Sequence, residues 1–212
     1  MNTLNPKLFL YSLALSPVQA GHLTRLIGKE PAEITFALIE NAADVIPNSS
    51  EWLGGFRMML ESNGYQLERF DLRDWKNKKE QLRQQLLSKD VIWLGGGNTF
   101  YLRWILKHTG VDKVIQDFVN NGKVYAGWSA GAVVAGPTLK YFESMDDTGQ
   151  SPEMIFDGMH LTNTVVVPHL DNKEFAEDAL MTNCNLLHDG YQTITLRDNQ
   201  VLLIDGGKFQ VI

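Results

Sequence analysis

The chain has 212 residues, 44% hydrophobic and 21% charged, and its 19 Lys and Arg against 25 Asp and Glu leave a net charge of −6. At roughly 150 residues per domain, this length fits a single domain over 1–212 with enough apolar content for one sizeable core. The acidic balance and scattered basic residues argue against a nucleic-acid partner, and no apolar run approaches the ~20 residues of a membrane-spanning helix.

The opening Met-Asn-Thr-Leu-Asn-Pro-Lys lacks the basic and apolar regions of a secretion signal, so the expected location is the cytoplasm. Residues 7–13 and 34–39 are short, continuously apolar runs that read as strands buried on both faces, the pattern of a parallel sheet. A short helix is expected over 22–27. Between 50 and 63, Trp52, Leu53, Phe56, Met59 and Leu60 recur at helical spacing, with Ser49 or Ser50 to cap the start and Gly64 to end it. A strand follows over 65–72, a polar helix over 78–88, a strand over 91–94 and helices over 100–107 and 111–120.

A strand over 123–126 then leads through a tight turn at 127–129 into a small-residue helix from Ala130. Residues 143–153 read as a surface loop. A β-branched strand over 164–167, a helix over 172–187 and closing strands over 193–196, 201–204 and 209–212 complete the chain, the last three joined by Asp198-Asn199 and Gly206-Gly207 turns. Alternating strands and helices imply an α/β fold with a mostly parallel sheet. The one cysteine, Cys184, can form no internal disulfide and reads as a small buried hydrophobe on a helix.

Chemistry concentrates at two strand-to-helix turns. Gly127-Trp128-Ser129-Ala130-Gly131 is a G-x-S-x-G sequence, which can hold a nucleophilic serine on a strained elbow with the Ala130 amide as an oxyanion donor. A serine needs a base. Of five histidines, His22, His108, His160 and His188 suit surface or packing roles, whereas His169 stands just past the 164–167 strand, where active sites of open parallel sheets assemble. Gly95-Gly96-Gly97-Asn98-Thr99 lacks the Lys-Ser/Thr of a phosphate-binding loop and dinucleotide spacing, and suits a second oxyanion donor at the Gly97 amide.

These three motifs, Gly95 to Phe100, Gly127 to Ala132 and Pro168-His169, resemble in order and spacing the peptidase E (aspartyl dipeptidase) family of serine peptidases, relatives of cyanophycinase. The resemblance covers about the middle half of the chain. It implies a class I glutamine amidotransferase-like, flavodoxin-like three-layer sandwich, with Ser129 as nucleophile, His169 as general base, and Gly97, Ala130 and Asn98 as oxyanion or substrate-binding residues. It also implies hydrolysis of short peptides, dipeptides with an N-terminal aspartate above all, without metal or organic cofactor. Aromatic residues on exposed helices are compatible with a homodimer. The amidotransferases of this fold use cysteine at the elbow, so Ser129 argues against that chemistry.

Two departures from the family pattern stand out. The family's acid lies in a Thr-Asn-Asp stretch, where this chain has Tyr-Phe-Glu-Ser-Met-Asp-Asp; Asp147 is the favoured acid, with Asp146 and Glu143 as rivals. The arginine that recognises an acidic side chain is absent after His169 until Arg197. Lys173 is a substitute or simply a solvated helix-start lysine. The competing readings are an esterase or amidase of another α/β type, and a non-catalytic binder of small peptides.

Overall fold

The apolar runs become strands because their residues alternate between two buried layers. In the computed structural model, which describes residues 5–75 and 78–212, β1 (Lys7–Tyr11), β2 (Thr35–Ile39), β3 (Gln66–Arg69), β4 (Val91–Leu94) and β5 (Val124–Trp128) run parallel in the order β3-β2-β4-β5-β1. The leader reading rests partly on residues 1–4, which lie outside the described residues.

On one face Phe9, Tyr11, Phe36, Trp93 and Trp128 pack against α1 (Pro17–Ile27) and α2 (Ser49–Ser62). On the other, Leu8, Leu10, Ile92, Leu94 and Tyr125 pack against α3 (Lys79–Ser88), α4 (Thr99–Thr109) and α5 (Val111–Asn120). This is the three-layer α/β sandwich expected, with a mostly parallel central sheet.

The first helix is longer than its expected span over 22–27. Ser16 accepts from the Gln19 N–H while Gln19 Oε1 accepts from the Ser16 N–H, a capping box with Pro17 at the first helical position. Residues 65–72 divide between β3 and a 3₁₀ turn at Leu72–Trp75. The expected helix from Ala130 is one turn, α6 (Ala130–Val133).

The main departure concerns β6 (Thr164–Val167), which does not join the central sheet. After it comes α7 (Ala176–His188), and β6 pairs in parallel with β7 (Gln192–Thr195) as a separate two-stranded ladder. Its valines are buried in the layer that holds Ala132, Val133 and Leu139. Asp198-Asn199 is therefore no hairpin turn. It carries the chain from the small ladder back to β8 (Val201–Asp205), which pairs antiparallel with β1, and β9 (Lys208–Val211) closes that edge.

α7 buries Ala179, Thr182 and Leu186 and leaves Cys184 exposed, correcting its expected burial. Among the described residues no helix is long and apolar enough to cross a membrane.

Candidate active site

Ser129 follows β5 directly, and its N–H donates to the Tyr11 carbonyl at 3.0 Å, continuing the ladder with β1. Its backbone then turns to φ 48°, ψ −107°, a region that costs roughly 1–3 kcal/mol and survives only where the surroundings enforce it. The two flanking glycines supply that enforcement. A Cβ on Gly127 would collide with the Gly131 carbonyl, and one on Gly131 with the Leu94 carbonyl, so the elbow closes only with hydrogen at both positions. The Tyr125 hydroxyl donates to the Gly131 carbonyl at 2.5 Å from below.

His169 is reached from β6 through Pro168 and is buried, with φ 68°. Its Nε2 lies 2.8 Å from Ser129 Oγ, and its Nδ1 lies 2.7 Å from Asp198 Oδ1. A carboxylate can only accept there, so Nδ1 carries the proton and the Nε2 lone pair faces the serine hydroxyl.

Asp198 is held from several sides. The Ser12 hydroxyl donates to Oδ1 at 3.2 Å and Asn172 Nδ2 donates to Oδ2 at 2.6 Å. Its backbone carbonyl accepts from the N–H groups of Leu13 and Ala14. Ser12, fully buried at the end of β1, also accepts from the His169 N–H at 2.8 Å, so one hydroxyl positions both the base and its carboxylate.

The carboxylate beside His169 is that of Asp198, not that of Asp147, the acid favoured from the sequence. Asp147 does not meet His169; its carboxylate accepts from the Gly149 N–H and Gln150 Nε2, capping the 3₁₀ turn Thr148–Gln150. Asp146 accepts from the Thr99 N–H at 3.0 Å, and Glu143 is exposed in the turn Phe142–Ser144. The 143–153 segment is thus more than a surface loop. Asn98 and Thr99 tie it down, and it walls the site.

Gly97 has φ 135°, and a Cβ there would strike the Ala42 carbonyl. The N–H groups of Gly97 and Ala130 donate to no acceptor among the described residues, although both flank the elbow. Asn98 lines the same cavity, but both ends of its amide are engaged: Oδ1 accepts from the Tyr101 N–H and Nδ2 donates to the Asp147 carbonyl. It caps α4 and anchors the wall. Gly97→Ala is expected to lose about 2–5 kcal/mol of stability from strain and overpacking together, read as a lowered urea midpoint.

Ser129, His169, Gly97 and Asn98 share a cavity of about 620 Å³, within the range of small-ligand pockets. Leu13, Ile46, Trp52, Trp128, Met145 and Phe175 give it apolar walls. Neither Lys173 nor Arg197 lines it; both are exposed, so neither supplies the cation of the missing family arginine. His22, His108, His160 and His188 also lie outside its wall.

The model of Peptidase family S51 matches residues 18–212. An uncharacterized peptidase of Listeria monocytogenes is 36% identical over 119 residues, covering 56% of this chain and 57% of the relative. Peptidase E of Haemophilus influenzae is 42% identical over 73 residues, 34% of this chain and 33% of that protein. The matches to the first three curated relatives span 57%, 63% and 48% of their lengths. Among solved structures, a candidate peptidase E protein of Listeria monocytogenes superposes with a TM-score of 0.84 at 26% identity, over 98% of each chain. A peptidase from an acI-B1 actinobacterium shares the fold, with a TM-score of 0.72 at 21% identity over 100% of this chain and 89% of that one.

Proposed function

Because the chain belongs to Peptidase family S51, we propose that it is a serine peptidase hydrolysing di- or tripeptides, with Ser129, His169 and Asp198 as its catalytic residues. The observation that carries this reading is the unbroken relay from Ser129 Oγ through both ring nitrogens of His169 to Asp198, at 2.8 and 2.7 Å. Ser129 Oγ attacks the scissile carbonyl and passes its proton to Nε2. Asp198 stabilises the imidazolium that forms and keeps its own proton state. The N–H groups of Gly97 and Ala130, free of other partners among the described residues, receive the tetrahedral oxyanion. Nε2 then protonates the leaving amine, and water, activated by the same nitrogen, releases the acyl group.

The cavity volume supports a short substrate, and the backbone amides need no metal to stabilise the charge. A dipeptide and tripeptide library incubated with wild type and with Ser129→Ala, and read by mass spectrometry, tests the reading. Cleavage products present only with wild type are the expected result. Ester turnover without peptide turnover would instead favour an esterase.

Ser12 is a positioning residue in this scheme. Ser12→Ala removes a donor from Asp198 and an acceptor from the His169 N–H, and is expected to lower kcat by about 10-fold, the scale of one or two hydrogen bonds, with KM little changed. A loss confined to KM would contradict that role.

A further inference from the structure

The two edges of the central sheet are built differently. At one, β3 carries Glu68 and Arg69, ion-paired with Lys89 and Glu40, and such charges keep an edge from pairing with a further strand. At the other, β9 reads Lys-Phe-Gln-Val, without Pro and with its one charge at the start, and all four residues are exposed. Phe209 is 50% and Val211 43% exposed, two apolar side chains on the same face of the strand.

The open hydrogen-bonding groups of this edge follow from its register. Val201 and Ile212 exchange both backbone hydrogen bonds at 2.9 Å, and β8 and β9 then pair without a bulge from Leu202 and Val211 to Asp205 and Lys208. Bonded and unbonded pairs alternate in an antiparallel ladder, so Lys208 and Gln210 turn their N–H and C=O toward β8, and Phe209 and Val211 turn theirs outward. The outward groups have no partner among the described residues.

That pattern is complementary to itself. A two-fold axis through Gln210 lays a second β9 antiparallel to the first, and each Phe209 then exchanges two bonds with the partner's Val211. The same pairs bring their apolar side chains together, the two Gln210 amides face each other at the axis, and no like charges are opposed. Val18 adds apolar surface on the other face of the sheet: it is 72% exposed and stands beside Gln19, whose amide donates to the Ile212 carbonyl.

We infer that β9 is the contact between two copies of this chain, joined across an axis at Gln210 into one continuous sheet. The edge from Lys208 to Ile212 spans about 17 Å at ~3.4 Å per residue, which with two apolar side chains per copy is less than the ~1,600 Å² of a standard interface. The dimer is therefore reversible, with an expected Kd of about 1–100 μM.

Sedimentation equilibrium of wild type is expected to show monomer and dimer in exchange, and Val211→Lys to weaken the dimer by at least about 10-fold. A thermal melt checks that the variant is folded. The register is read in a Cys184→Ser background under oxidation by copper phenanthroline and oxygen. Gln210→Cys places two thiols in an unbonded pair with Cα atoms ~4.5 Å apart, within disulfide reach, and is expected to cross-link. Lys208→Cys, two residues from the axis in each copy, leaves the Cα atoms ~14 Å apart and is expected not to.

A wild type that stays monomeric at every concentration would overturn the inference, whether or not β9 binds some other extended peptide. So would a dimer that Val211→Lys leaves unchanged, or cross-linking through position 208 in preference to 210. These outcomes are independent of the chemistry at Ser129.

Discussion

Ser129→Ala is expected to lower kcat for the best peptide substrate by roughly 10⁴- to 10⁶-fold, the scale on which removing the nucleophile of a serine peptidase acts. The change deletes one oxygen from a hydroxyl whose partner is His169 Nε2. It leaves the elbow glycines and the Gly97 and Ala130 amides in place, so substrate affinity and melting temperature should stay close to wild type. Steady-state kinetics and a thermal melt on the same preparations decide the matter. Activity within 10-fold of wild type would remove Ser129 from the chemistry.

Asp198→Asn has the next largest expected effect, a loss of about 10⁴-fold in kcat with little change in KM. The replacement amide keeps the shape of the carboxylate but can present N–H to His169 Nδ1, favouring the tautomer with its proton on Nε2. That proton faces Ser129 Oγ at 2.8 Å, and the serine then has no base. The contrast with Asp147→Asn makes the prediction sharp. Asp147 serves the turn Thr148–Gln150, so its variant should keep kcat within about 5-fold, the scale of one exposed turn hydrogen bond. The reverse ranking of the two variants would restore Asp147 as the acid.

Ser129 and His169, the proposed nucleophile and base, stood out in the sequence because each lies in a local pattern. G-x-S-x-G needs only the adjacent strand and turn to place Ser129, and the glycines are there because carbonyls of neighbouring segments occupy the space of a Cβ. His169 was marked by the valine strand before it, although that strand belongs to the small ladder with β7 rather than to the central sheet. Three consecutive valines look the same in whichever buried layer they pack, so composition could not separate the two placements.

Asp198 had no such signal. It lies 29 residues beyond His169, and the two meet because the chain passes through α7 and β7 and then crosses to β8 beside the end of β1. Asp-Asn is a common turn pair, and only the tertiary contacts with Ser12, Leu13 and Ala14 reveal its second use. The 143–153 segment misled for a related reason. Its polar composition suits a solvated loop, yet Asn98 and Thr99 fold it over the cavity and aim Asp146 inward. The sheet itself was readable from continuous apolar runs, since a strand buried on both faces leaves no polar stripe.

Fluorophosphonate labelling followed by peptide mapping tests the relay from Ser129 to Asp198 most directly, because it reads nucleophile activation without knowledge of the substrate. A single adduct on Ser129 is expected in wild type and in Asp147→Asn at comparable rates, with labelling slowed by at least about 100-fold in Asp198→Asn. An adduct on another residue, or undiminished labelling of Asp198→Asn, would contradict it.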